Sequence, residues 1–147
     1  MRAIINRVTG AKLLDGDKVI AETGVGYFIS LGITDTDTRI ESEKLASKIT
    51  AVRSYRTTTG DLDIHLKDIC GQILVVPDPN VVASMDGGEF TYTSPSGEKL
   101  RELYSAFIDF FTRDGLRCVG VPEPEKSYDV SAELNGVVTY VIDTVNL

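Results

Sequence analysis

Residues 72–81 read Gln-Ile-Leu-Val-Val-Pro-Asp-Pro-Asn-Val, and the rest of the chain is understood from the change of chemistry inside this stretch. Ile73 to Val76 are uniformly apolar, the pattern of a short strand buried on both faces. Pro77 and Pro79 lack a backbone N–H and fix φ. The ladder is therefore expected to stop at Pro77, and the chain to leave the sheet as a turn carrying Asp78 and Asn80. A core strand ending in a polar turn is a common place for a site; the plain alternative is a strand end followed by a proline-stiffened loop.

On the N-terminal side, Ala3, Ile4, Ile5 and Val8 mark a strand over Arg2–Val8, closed by Thr9-Gly10. Ala11–Leu14 forms the next strand, and Asp15-Gly16-Asp17 turns it into a returning strand over Lys18–Glu22. Gly24-Val25-Gly26 leads into the apolar run Tyr27–Ile33, which is expected to cross the middle of a sheet. This Gly-x-Gly lacks a third glycine and precedes a strand, so it is a turn and not a phosphate loop. Thr38 and Glu41 form a capping box that opens a helix to about Val52, with Leu45, Ile49 and Val52 on its buried face. Tyr55–Leu66, with Thr59-Gly60-Asp61 inside it, is a second hairpin or a loop over the sheet.

On the C-terminal side, Ser84–Thr93 is polar and aperiodic and is expected to be a loop whose Phe90 and Tyr92 can pack over a ligand. Ser94 as N-cap and Pro95 at the first position open a second helix, whose apolar residues at 100, 103, 104, 107, 110 and 111 keep helical spacing up to Gly115. Arg117–Val121 is a strand and Pro122–Lys126 a turn-rich connection. Asp129–Glu133 and Val137–Asp143 form a terminal pair turning through Asn135-Gly136. The whole chain, 1–147, is thus one compact α/β domain of mixed sheets with two main helices. Two helices do not cover that much sheet, so an exposed face or edge is expected to be buried in a twofold homodimer.

The net charge of −7 argues against a broad phosphate-tracking surface, so any nucleic-acid contact is local. Lys44 and Lys48 on the first helix, with Arg53 and Arg56, make the most basic region; its plain reading is a solvated face. No apolar run approaches a membrane span and no signal peptide opens the chain, so a soluble, cytoplasmic protein is expected. Cys70 and Cys118 are too few for a disulfide framework and sit in apolar surroundings that suit buried free thiols. His65 is the only histidine, five positions from Cys70, which is no recognised nucleophile spacing. HExxH, CxxC and GxSxG motifs are all absent. Asp61, Asp63 and Asp78 are read first as turn-forming aspartates.

Arg7-Val8-Thr9, Glu22, Gly24-x-Gly26 and Leu31-Gly32 resemble the opening of the D-aminoacyl-tRNA (D-tyrosyl-tRNA) deacylases. The likeness continues through Arg53, Gly60, Leu74-Val75-Val76, Leu103-Tyr104, Val130-Ser131, Asn135-Gly136 and Val138-Thr139, nearly the whole chain. The resemblance implies a compact α/β homodimer that hydrolyses the ester between a D-amino acid and tRNA. It implies no metal or cofactor, with catalysis by positioned backbone amides and the terminal hydroxyl of the tRNA. The family's Ser-Gln-Phe-Thr-Leu signature falls on Pro77, Asp78, Pro79, Asn80 and Val81, none of which keeps it. Its Asn-x-Gly-Pro-Val-Thr signature, which the resemblance implies reaches across the dimer to screen chirality, falls on Gly136, Val137, Val138 and Thr139, with the proline lost. The family's Arg-Pro-Ser-Phe stretch has no clean counterpart near Glu89–Tyr92.

Two functions follow as expectations. One is a divergent aminoacyl-tRNA deacylase with Asp78 and Asn80 as catalytic residues, which orient the substrate and, with Val81, supply the backbone donors that the prolines leave. Pro77, Pro79, Val81, Phe90, Gly136, Val137 and Thr139 would line its substrate, and Lys44, Lys48, Arg53 and Arg56 would contact tRNA. The other is a non-catalytic paralogue that keeps the homodimer and binds tRNA ends or a protein. Before valine a cis bond costs about 2.5–4 kcal/mol, so Gly136–Val137 is expected to be trans.

Overall fold

The chain folds in the order β1 (Arg2–Asp15), β2 (Lys18–Thr23), β3 (Gly26–Gly32), α1 (Arg39–Thr50), β4 (Arg53–Arg56), β5 (Leu62–His65), β6 (Gln72–Pro77), β7 (Ser84–Asp86), β8 (Glu89–Thr91), α2 (Gly97–Arg113), β9 (Arg117–Val119) and β10 (Asp129–Asp143) in the computed structural model, which describes residues 1–147. Six strands make the main sheet in the order β10-β1-β3-β6-β9, with β2 paired to the far half of β1. The expected mixed character is present: β1 pairs antiparallel to β3 and β10, whereas β6 is parallel to both β3 and β9. The apolar runs sit where sheet is covered, with Tyr27, Ile29, Leu31, Ile73, Leu74 and Val75 at 1% exposure or less. Gly26 is required for this pairing, because a Cβ there would lie 1.8 Å from the carbonyl oxygen of Gln72.

Both helices form as their patterns dictate. Thr38 Oγ1 accepts the N–H of Ile40 while the Glu41 carboxylate accepts the N–H of Thr38 at 2.6 Å, the reciprocal box that starts α1. α2 buries Leu100, Leu103, Tyr104, Phe107 and Phe111, and the last two rings meet edge to face at 5.1 Å. This helix begins at Gly97 behind Ser96, two residues later than the Ser94-Pro95 pair suggests. No helix is long and apolar enough to cross a membrane.

Four further expectations are corrected. β1 does not close at Thr9-Gly10 but runs on to Asp15, because β10 pairs along its whole length. For the same reason Asn135-Gly136 is not a hairpin turn: residues 129–134 and 139–143 both pair with β1, and 135–138 bulge opposite Arg7. Gly136 takes the left-handed conformation (φ 72°) this bulge requires. Ser84–Thr93 is not aperiodic coil but carries the hairpin β7–β8 about Gly87-Gly88, a dipeptide that marks such turns. Cys70 is exposed, since it ends the 3₁₀ turn Leu66–Ile69 with φ 54° and leads the chain outward, whereas Cys118 is half-buried.

Tyr104 ties helix to sheet. β9 accompanies β6 only as far as Leu74, which leaves the Val75 carbonyl without a strand partner on that side. The Tyr104 hydroxyl donates to that carbonyl at 2.6 Å and accepts the N–H of Val121 at 2.8 Å, all within the core. Tyr104→Phe leaves both backbone groups buried and unpaired, so it is expected to lower stability by about 1–3 kcal/mol in urea denaturation with an unchanged m-value.

Candidate functional site

β3 and β6 end side by side, and beyond their C-terminal ends lies a cleft of about 730 Å³. Its apolar floor is Phe28, Leu31, Ile33, Val76 and Leu100; its walls come from Pro77–Asn80, from Ser94–Ser96 ahead of α2, and from Pro124–Val130. The sheet persists one residue past the first proline: Asp78 N–H donates to Leu31 O at 2.8 Å. Pro77 is tolerated because its own missing N–H faces the side that β9 has already left.

The polar turn is built from its own side chains. Asp78 caps the 3₁₀ turn Pro79–Val82, and its Oδ1 accepts the backbone N–H and the Nδ2 of Asn80, both at 2.9 Å. Pro79 sits at the first position of that turn, where an N–H has no partner to lose. Val81 N–H donates to Asp78 O at 3.2 Å, and the Tyr92 hydroxyl reaches from beyond β8 to Asn80 Oδ1 at 3.0 Å. The N–H groups of Asp78, Asn80 and Val81 are therefore all engaged within the chain, and in this conformation none is free to meet an oxyanion in the cleft.

Pro77, Asp78, Pro79 and Asn80 line the cleft, whereas Val81 is turned away, its carbonyl accepting Arg2 Nη1 at 3.1 Å and its side chain filling the space over Gly32. Phe90 is 55% exposed on β8, its ring 6.4 Å from Tyr92, and does not form the cleft wall. Gly136, Val137 and Thr139 lie on β10. Thr139 is in register with Asn6, and Asn6 with Phe28, so Thr139 shares the sheet face of Phe28 two strands away. Thr139 Oγ1 donates to Asn6 Oδ1 at 2.7 Å. The Gly136–Val137 bond is trans, and Val137 is 97% exposed.

Arg7 anchors the bulge. Its Nε donates to Asn135 O at 3.0 Å and its Nη1 to Ser54 O at 2.5 Å, with the guanidinium 5.5 Å from the centre of the Tyr55 ring. Tyr55 stacks on Tyr27, whose hydroxyl bonds Ser54 Oγ. Burial raises the pKa of both phenols, so both stay protonated.

The basic residues are elsewhere. Lys44 and Lys48 are exposed on α1, and Arg53 and Arg56 on β4, beside Tyr27 at the starting ends of β3 and β6. Arg53 pairs with Asp63 at 3.1 Å and Arg56 Nη1 donates to Gly60 O at 2.6 Å. His65 pairs with Asp68 at 3.2 Å on the surface. Burial pushes the Cys118 thiol up to about 12, too high for a nucleophile near neutrality. No three His, Cys, Asp or Glu side chains gather at metal-binding spacing.

Sequence reasoning missed the far wall. Glu125 Oε1 accepts the Gly97 N–H at the head of α2, Lys126 Nζ bonds Asp15 Oδ2 at 2.6 Å, and the Tyr128 hydroxyl accepts the Glu123 N–H at 3.2 Å. The density of charge and proline in Pro122–Lys126 was the available signal, but only the packing of this segment against the end of β6 makes it a wall.

The sequence family described as D-Tyr-tRNA(Tyr) deacylase matches residues 4–143. A D-aminoacyl-tRNA deacylase of Thermodesulfovibrio yellowstonii is 30% identical over 98% of this chain and 99% of its own length, and one of Thermotoga petrophila is 28% identical over 100% and 99%. Among solved structures, a c-Myc DNA unwinding element binding protein superposes with a TM-score of 0.83 at 24% identity, covering 98% of this chain and 99% of its own. A probable eukaryotic D-amino acid tRNA deacylase superposes with a TM-score of 0.80 at 14% identity, covering 96% and 97%, so these two likenesses speak for the fold. With its sheet, its cleft at the end of β6 and a match that spans nearly its full length, the chain belongs to the D-Tyr-tRNA(Tyr) deacylase family.

Proposed function

We propose that the chain hydrolyses the ester joining a D-amino acid to the 3′ end of tRNA, the reaction of the ester hydrolases to whose family it belongs. The observation that carries this reading is that the family's first signature falls on the turn at the mouth of the cleft beyond β3 and β6. Its volume of about 730 Å³ has room for an aminoacyl group and the ribose that carries it, and the apolar floor suits an amino-acid side chain. Because the three N–H groups of the turn are engaged, the reaction relies on the neighbouring ribose hydroxyl and on orientation by Asp78 and Asn80. That engagement also supports a second reading, a non-catalytic homodimer that binds tRNA ends. A cytoplasmic location, where aminoacyl-tRNA is used, follows from either.

The assembly that fits is a twofold homodimer. β10 is an edge strand, and Leu134, Val137 and Val141 expose 57%, 97% and 65% of their surface. A second copy on the helix-free face would bring its own Gly136, Val137 and Thr139 toward this cleft, with an interface above the roughly 1,000 Å² of a stable association. Val137 would then stand in the chirality screen with an N–H and a branched side chain where the family has proline. The tRNA contacts proposed are Lys44, Lys48, Arg53 and Arg56, a small set in keeping with the net charge of −7.

Incubation with D- and L-aminoacyl-tRNA is expected to release the D-amino acid with a preference of no more than about 100-fold over L. Binding with no turnover of either ester establishes the non-catalytic reading. Light scattering at micromolar concentration is expected to give the mass of a dimer, and Val137→Asp to weaken it by about tenfold or more; a monomeric wild type excludes this assembly. Arg53→Glu with Arg56→Glu is expected to weaken tRNA binding without lowering the melting temperature, and unchanged affinity in that variant places the acceptor stem elsewhere.

A further inference from the structure

We infer that the cleft holds the α-ammonium group of its substrate against the carboxylate of Asp78, so that the site selects esters with a free amino group. The inference rests on the deacylase reading for the nature of the substrate and goes beyond it in assigning a recognition element.

The lining of the cleft carries the carboxylates of Asp78, Glu125 and Asp129 and a single cationic side chain, Lys126. Lys126 is matched by Asp15, whereas Asp78, Glu125 and Asp129 enter no ion pair. The cavity is therefore electronegative, which draws an ammonium inward and turns phosphates away. The acyl end of the substrate belongs inside, and the nucleotide phosphates outside.

Asp78 is singled out from the three by position. It is half-buried, whereas Glu125 and Asp129 are exposed, and charge is felt more strongly where water is partly excluded. Asn80 occupies Oδ1 of Asp78 with two hydrogen bonds, while Oδ2 makes none within the chain and remains to accept from a ligand. On another wall of the same cleft, Ser94 Oγ is buried and has no hydrogen-bond partner. A buried hydroxyl without a partner is costly unless a ligand completes it. The free Oδ2 of Asp78 thus offers an acceptor to an ammonium, while the floor of Phe28, Leu31, Val76 and Leu100 takes the apolar group beside it. An ammonium adjacent to an apolar side chain is the chemistry of an aminoacyl group. A basic side chain would instead place its charge on that floor.

The test compares D-aminoacyl-tRNA with its N-acetylated form, using wild type and Asp78→Asn. Asparagine caps a turn as well as aspartate does, so this variant removes the charge and keeps the fold. Wild type is expected to lose about tenfold or more in kcat/KM when the amine is acetylated. Asp78→Asn is expected to lose about tenfold more on the free amine, through KM, than on the acetylated ester. Equal rates of wild type on both esters, or an equal loss by the variant on both, overturns the proposal. Should Asp78→Asn fail to fold, Asp78→Ser, which also caps, takes its place.

A parallel calorimetric titration uses an amino acid joined by an amide to 3′-amino-3′-deoxyadenosine, free and acetylated, and so does not depend on hydrolysis. Tenfold preference for the free amine without turnover of any ester removes the deacylase reading and keeps this one. Turnover without that preference does the reverse.

Discussion

The hydrogen bond from Asp78 N–H to Leu31 O is the last rung of the sheet, and the functional geometry depends on it. Prolines on either side of Asp78 ensure that no further rung follows, so the chain must turn, and Asp78 turns it with its own carboxylate. One residue thus closes the parallel pairing of β3 and β6, caps the turn that follows and presents a half-buried charge at the mouth of a cleft. Gly26 at the other end allows the two strands to approach in the first place, and Tyr104 holds the middle of β6 to α2.

The N–H groups of Asp78, Asn80 and Val81 are all engaged within the chain, so what the turn presents to the cleft is side chains. The bulge at Asn135–Val138 is held by Arg7, which reaches the Asn135 carbonyl from β1 and the Ser54 carbonyl from the neighbouring hairpin. What this bulge presents is a fully exposed valine, a side chain suited to contact with another surface and costly to leave in water. The distribution of charge fits the same picture. Acidic groups gather at the cleft, while Arg53 and Arg56 stand apart at the starting ends of the parallel strands.

Much of this was legible in the residues. The apolar runs at 27–33 and 73–76, the capping box at Thr38 and Glu41, the Asp-Gly turn at 15–16 and the periodicity of 100–111 are local signals, because the hydrogen bonds or the buried face they report are made by residues close in sequence. The position of the cleft was legible for the same reason, since proline forbids a ladder wherever the rest of the chain lies. The signals that misled were turn dipeptides. Thr9-Gly10 and Asn135-Gly136 permit a turn, but the matching lengths of β1 and β10 allow a continuous pairing that satisfies more backbone groups, and both became irregularities within strands.

The sequence alone therefore determined the two helices, the core strands, the family and the residue at which the central strand must end, all of which depend on local sterics or on pattern. Only the tertiary structure decided which side chains face that strand end. Glu125, Lys126 and Tyr128 reach the cleft from about fifty residues away, Ser94 comes to line the same cleft as Asp78, and Gly136–Thr139 stand two strands from Phe28. These juxtapositions follow from how α2 and the 122–130 segment pack over a sheet whose strand order is not the chain order, which no local periodicity encodes.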